Sequence, residues 1–123
     1  MTKLTQSTPF LNILIKVREG DTPNNYVVET APVAPYITQP DTVINYQIFD
    51  SGKHKIVFDS KNPMTVSPAD NNQLSTPSRS LSGKQLSFID ANTSKMTLNI
   101  TLNFETEDGV QFSHDPEVRN EPD

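Results

Sequence analysis

Between Met96 and Phe104 the chain alternates without a fault. Leu98, Ile100, Leu102 and Phe104 are apolar, and Thr97, Asn99, Thr101 and Asn103 between them are polar. Successive side chains of a strand point to opposite faces, so this stretch predicts a strand with one face in a core and the other in water. No window of helical length carries a 3.6-residue apolar pattern, so the chain has little to build helices from. The same alternation recurs elsewhere. Ile13, Ile15 and Val17 alternate with Asn12, Leu14, Lys16 and Arg18. Val43 to Phe49 and Lys55 to Phe58 predict two more strands, joined as a hairpin through Asp50-Ser51-Gly52. Gln85 to Ile89 predicts another, followed by a turn at Asp90-Ala91-Asn92. Val110 to Phe112 returns from the long strand through Glu107-Asp108-Gly109.

Punctuation agrees with this reading. All four glycines (Gly20, Gly52, Gly83, Gly109) fall between candidate strands, and ten prolines confine their segments to loops or sheet edges. Residues 60–80, rich in Ser, Asn and Pro, read as an irregular surface excursion, and Met1 to Thr8 as a loose lead-in. A length of 123 residues fits one domain. The expected fold is therefore all-β: a single antiparallel β-sandwich or small barrel of about seven or eight strands. Its body is expected over 1–112, with an acidic C-terminal tail over 113–123 in the same domain.

Composition closes several routes. The chain has no cysteine, so disulfides, thiolate metal sites and a thiol nucleophile are excluded. The apolar run from Phe10 to Val17 is short and broken by Asn12 and Lys16, neither a signal-peptide core nor a membrane span. A cytoplasmic location without membrane contact is expected, with non-classical export left open. The net charge of −5 is unevenly placed. From Glu105 onward seven acids face one base, Arg119, leaving the rest of the chain close to neutral. With no basic face, nucleic acid is not an expected partner. Open edge strands leave a homodimer through them open.

Conventional catalytic sets are missing. The two histidines, His54 and His114, lie on unrelated segments, and no phosphate loop, nucleophile elbow or zinc motif occurs. The ending stands out instead: Phe112-Ser113-His114-Asp115-Pro116-Glu117-Val118-Arg119-Asn120-Glu121-Pro122-Asp123. In an Asp-Pro step the side-chain carboxyl can attack its own main-chain carbonyl, closing a five-membered anhydride, and proline nitrogen leaves well once protonated. The nucleophile is tethered, and a fold that freezes its rotamer exploits an effective molarity of order 10⁵ M or more. A donor for the oxyanion and an acid for the departing nitrogen are then needed. Ser113, His114, Tyr26 and Lys95 are the candidates.

This ending, Asp115-Pro116 followed by Glu121-Pro122, resembles the small bacterial DP-EP family, named for that motif. The segment Gly83-Lys84-Gln85-Leu86-Ser87-Phe88-Ile89-Asp90-Ala91-Asn92 is also similar to family sequence. The resemblance implies one β domain and self-cleavage at the Asp-Pro bond, classed as aspartic-peptidase-like. Asp115 would be the nucleophile and Pro116 the leaving side, with the chain's own ending as substrate and no cofactor or metal. Ser113 and His114 would shape the turn. Tyr26, after the Asn24-Asn25 turn, is the chosen helper, against the commoner reading of a strand tyrosine packed on the core. Other readings remain: carboxylates of the ending as Ca²⁺ ligands, although EF-hand spacing is absent, or Thr97, Asn99, Thr101 and Asn103 as a sugar-binding face. The alternative function is a non-enzymatic binding or assembly module with a solvated acidic tail.

Overall fold

A computed structural model describes residues 8–123. Residues 1–7 of the expected lead-in lie outside the described residues. Eleven strands follow in order: β1 (Phe10–Glu19), β2 (Tyr26–Ala31), β3 (Tyr36–Ile37), β4 (Thr42–Asp50), β5 (Ile56–Phe58), β6 (Met64–Ser67), β7 (Ser78–Arg79), β8 (Gln85–Asp90), β9 (Met96–Thr106), β10 (Gln111–His114) and β11 (Glu117–Asn120). There is no helix among the described residues, and therefore none long and apolar enough to cross a membrane. One sheet runs β2-β1-β4-β8-β7. The other is built around β9, with β10, β11 and β3 on one side and β5 and β6 on the other.

The alternation read from the sequence is the alternation that packs. Leu98, Ile100, Leu102 and Phe104 of β9 are fully buried, as are Ile13, Ile15 and Val17 of β1 to within 1% exposure. With Ile44, Tyr46, Leu86 and Val118 they form one core between the two sheets. Each such aliphatic or aromatic side chain contributes about 1.5–3 kcal/mol by leaving water. Four rings stack in sequence through it: Phe58 on Phe104 at 5.2 Å, Phe104 on Phe112 at 5.2 Å, and Phe112 on Tyr26 at 4.8 Å between centroids. The first three are cross-strand neighbours on β5, β9 and β10. The fourth comes from the facing sheet.

The expected all-β fold is present, without a closed barrel. Its strands are more numerous than the pattern predicted, because two-residue pieces such as β3 and β7 carry no periodicity to read. Two pairings are parallel rather than antiparallel, β1 with β4 and β11 with β3. After the β1–β2 hairpin the chain crosses to the other sheet for β3, so β4 comes back along the free edge of β1 in the same direction. The expected hairpin between β4 and β5 is also replaced. The turn is there, with Gly52 at φ +61° and its N–H on Asp50 Oδ1 at 3.0 Å. Yet β1 and β8 already occupy both edges of β4, so β5 crosses over and pairs with β9. Within residues 60–80 two short strands form, β6 on β9 and β7 on β8.

The acidic ending is not a solvated peptide. Residues 117–120 form β11, which pairs with β9 on one edge and β3 on the other, and Val118 and Asn120 are buried. The reason is apolar and amide chemistry hidden among the charges, which the charge count alone conceals. Asn120 Nδ2 donates to Asp90 Oδ1 at 2.9 Å and to Gln73 Oε1 at 3.2 Å, a polar knot closed to water.

Candidate active site

The site follows from one count. Along β9, β10 pairs Phe112 with Phe104 and His114 with Leu102, and β11 pairs Glu117 with Asn99 and Val118 with Leu98. The register is the same on both sides of the gap, so Asp115 falls opposite Thr101 and Pro116 opposite Ile100. Strands β10 and β11 are one strand interrupted where proline, lacking an N–H, cannot complete the ladder. The other half of that pair survives, because Ile100 N–H donates to the Pro116 carbonyl at 2.8 Å.

That register fixes which way each group faces. Phe112, His114, Pro116, Val118 and Asn120 turn inward, and Pro116 is buried. Gln111, Ser113, Asp115, Glu117 and Arg119 turn to the outer face. There the Thr101 hydroxyl donates to Asp115 Oδ1 at 2.8 Å. The main-chain carbonyl of Asp115, the one in the Asp-Pro bond, belongs to a residue outside the hydrogen-bonded pairs. It therefore points away from β9.

Only some of the expected helpers share this face. Ser113 does, and its hydroxyl donates to Asn103 Oδ1 at 2.9 Å. His114 does not: it turns inward, and burial pushes its imidazole below the ordinary value, against the Asp115 carboxylate, which raises it. Tyr26 lies on β2 in the other sheet, stacked on the inward ring of Phe112 and edge-on to His54. Burial, then the carboxylates of Glu19, Glu107 and Asp108, push its phenol above the ordinary value. Glu107 and Asp108 mark the β9–β10 turn and Glu19 the end of β1, and the sheet itself separates Tyr26 from Asp115. Lys95 is exposed and reaches Glu121 at 3.6 Å. The two histidines do not meet; His54 binds Glu19 at 2.6 Å, with Glu107 on its other nitrogen at 3.6 Å.

Two residues escaped the sequence reading. Thr101 was placed on a wet strand face without its partner, and Glu117 was counted only as charge. Glu117 follows Asp115 by two residues on the same face, and its Oε2 accepts Arg119 Nη2 at 3.2 Å and Nε at 3.3 Å. Arg119 Nη1 also donates to Tyr36 Oη at 2.9 Å. Next to Ser113 a cleft of about 360 Å³ is lined by Asp59, Asn62, Asn103 and Gln111. Among the described residues no three His, Asp or Glu side chains converge on a metal-sized site.

Fold and site together define a class of protein, a small β-sandwich whose last strand is interrupted at an Asp-Pro bond held in register. The chain belongs to the DP-EP family, whose sequence profile it matches over residues 9–122. No curated protein matches it.

Proposed function

We propose that this chain cleaves its own Asp115–Pro116 bond. The observation that carries the reading is the Thr101 hydrogen bond to Asp115 Oδ1, made beside a scissile bond clamped by Ile100. Pinning Oδ1 leaves Oδ2 as the attacking atom and removes much of the rotational freedom a free Asp-Pro would lose on reacting.

The chemistry balances with water as the one added reactant. Oδ2 of the Asp115 carboxylic acid attacks its own main-chain carbonyl carbon, and the bond to Pro116 nitrogen breaks. The acid proton passes to that nitrogen, which departs as a secondary amine. Water then opens the cyclic anhydride and restores the Asp115 side chain beside a new α-carboxylate. Because the acid form supplies the proton, cleavage accelerates as pH falls. Ser113, on the same face, keeps Asn103 and the outer polar row in place. With β11 paired on both edges and Asn120 knotted to Asp90, the piece 116–123 stays docked after the cut.

The test is intact mass over days at neutral and mildly acidic pH, under denaturing conditions. Loss of the mass of residues 116–123 at a rate unchanged by dilution supports the reading. An unchanged mass, or equal loss from Asp115→Ala, overturns it.

A further inference from the structure

Anhydride formation is half a reaction; something must consume the anhydride. Asp115 and Glu117 stand two residues apart on one face of an extended segment, their Cα atoms roughly 6–7 Å apart. Carboxylates on neighbouring same-face positions can share one water molecule, as in hydrolases that use paired carboxylates with a water between them. The two carboxylates are held in matching ways. Asp115 has Oδ1 on Thr101, and Glu117 has Oε2 on the Arg119 guanidinium. Among the described residues neither Asp115 Oδ2 nor Glu117 Oε1 has a hydrogen-bond partner. Arg119 holds Oε2 from two of its nitrogens and so fixes the carboxylate plane, leaving Oε1 as the atom free to accept a proton. The site is open to water, since Asp115 is exposed and the Glu117 side chain is 40% exposed.

We propose that Glu117 is the general base that resolves the Asp115 anhydride. This rests on the self-cleavage reading above. Glu117 Oε1 takes a proton from the bound water as its oxygen attacks the former main-chain carbonyl carbon. The bond from that carbon to the side-chain oxygen breaks, its electrons returning to Asp115 as a carboxylate. Glu117 then passes the proton to solvent. The assignment has an unusual feature: the base lies beyond the cut, on the piece the first step detaches. It works only because β11 remains seated between β9 and β3.

Hydroxylamine intercepts anhydrides as hydroxamates, so the fraction of cleaved molecules ending in an Asp115 hydroxamate reports how anhydride divides between water and trap. The comparison is wild type against Glu117→Gln, which keeps a hydrogen-bond acceptor for Arg119. Losing a general base slows the reaction with water about a hundredfold, the low end of such effects, so the trapped fraction rises correspondingly. Added acetate, an external base, brings the fraction back down in Glu117→Gln and leaves wild type unmoved, a response no structural role would give. If wild type cleaves and both proteins partition alike, Glu117 is not the base and the cleavage reading stands. If wild type never cleaves, the cleavage reading itself falls, and this assignment with it.

Discussion

Thr101 and Asp115 face each other across an antiparallel pair that proline has half undone, and their side chains restore the lost contact at 2.8 Å between Oγ1 and Oδ1. A hydroxyl is therefore part of what holds the carboxylate proposed as nucleophile. Thr101→Val keeps shape and β propensity while deleting the donor. It is expected to slow cleavage about tenfold or more, the scale of losing orientation at a tethered nucleophile. Thr101→Ser should recover most of the rate. First-order mass loss decides it, and a Val variant as fast as wild type removes Thr101 from the site.

Asp90 gives the fold its own pH dependence. It is fully buried, its Oδ1 takes Asn120 and the Asn92 N–H, and its Oδ2 has no partner. Burial pushes its carboxyl above the ordinary value, with the Asn120 and Asn92 hydrogen bonds pulling it partway back. A raised folded-state value means stability is complete below the unfolded value of about 3.9 and is lost as pH rises to the folded one. Relative to Asp90→Asn, wild type should lose up to about 1.4 kcal/mol per pH unit across that window, then level off. Urea titrations of both proteins from pH 3.5 upward test this, and a constant difference would refute it.

Tyr46 is buried at 0% exposure with no partner for its hydroxyl, and burial pushes the phenol well above its ordinary value. Deleting an unsatisfied buried hydroxyl while keeping the ring should stabilise the protein. Tyr46→Phe is expected to gain about 1 kcal/mol. A lower denaturation midpoint in that variant would mean the hydroxyl has a partner after all.

Gly83 sits at φ +76° in the β7–β8 turn, and its carbonyl accepts the Phe58 N–H at 2.9 Å. A Cβ there would overlap the Arg79 guanidinium and lie 2.8 Å from Val57 Cβ. Gly83→Ala combines left-handed backbone strain with overpacking and should cost about 2–4 kcal/mol. Gly52→Ala, at φ +61° in open space, should lose only the first part. Equal losses in the two variants would rule out the packing contribution.

The strands with unbroken alternation were legible because burial on one face leaves its signature in every second residue. β9 and β1 are the clear cases. What the sequence could not announce was which edge each strand finds. The hairpin expected after Phe49 failed because β4 had no edge left, a fact that depends on β1 and β8. The ending misled for a related reason: seven acids from Glu105 onward mask the buried positions Pro116, Val118 and Asn120. The site itself was nearer to hand than it looked. The turn through Asp108 was foreseen, and its register carried seven residues past the turn puts Asp115 against Thr101. Tyr26 was chosen for its chemistry, and only the packing of its ring on Phe112 shows it on the far face of the sheet.

Strand β9 bonds along both edges, to β5 and β6 on one and to β10 and β11 on the other. An insertion or deletion of a single residue inside it would displace four neighbours together and exchange the buried row for the wet one. Changes of chain length are thus confined to the connections, above all the 68–72 segment and the 107–109 turn. A circular permutation opened there should be tolerated where one opened within 98–104 is not. For a molecule this small, one strand acts as the ruler against which the placement of four of the other ten is measured.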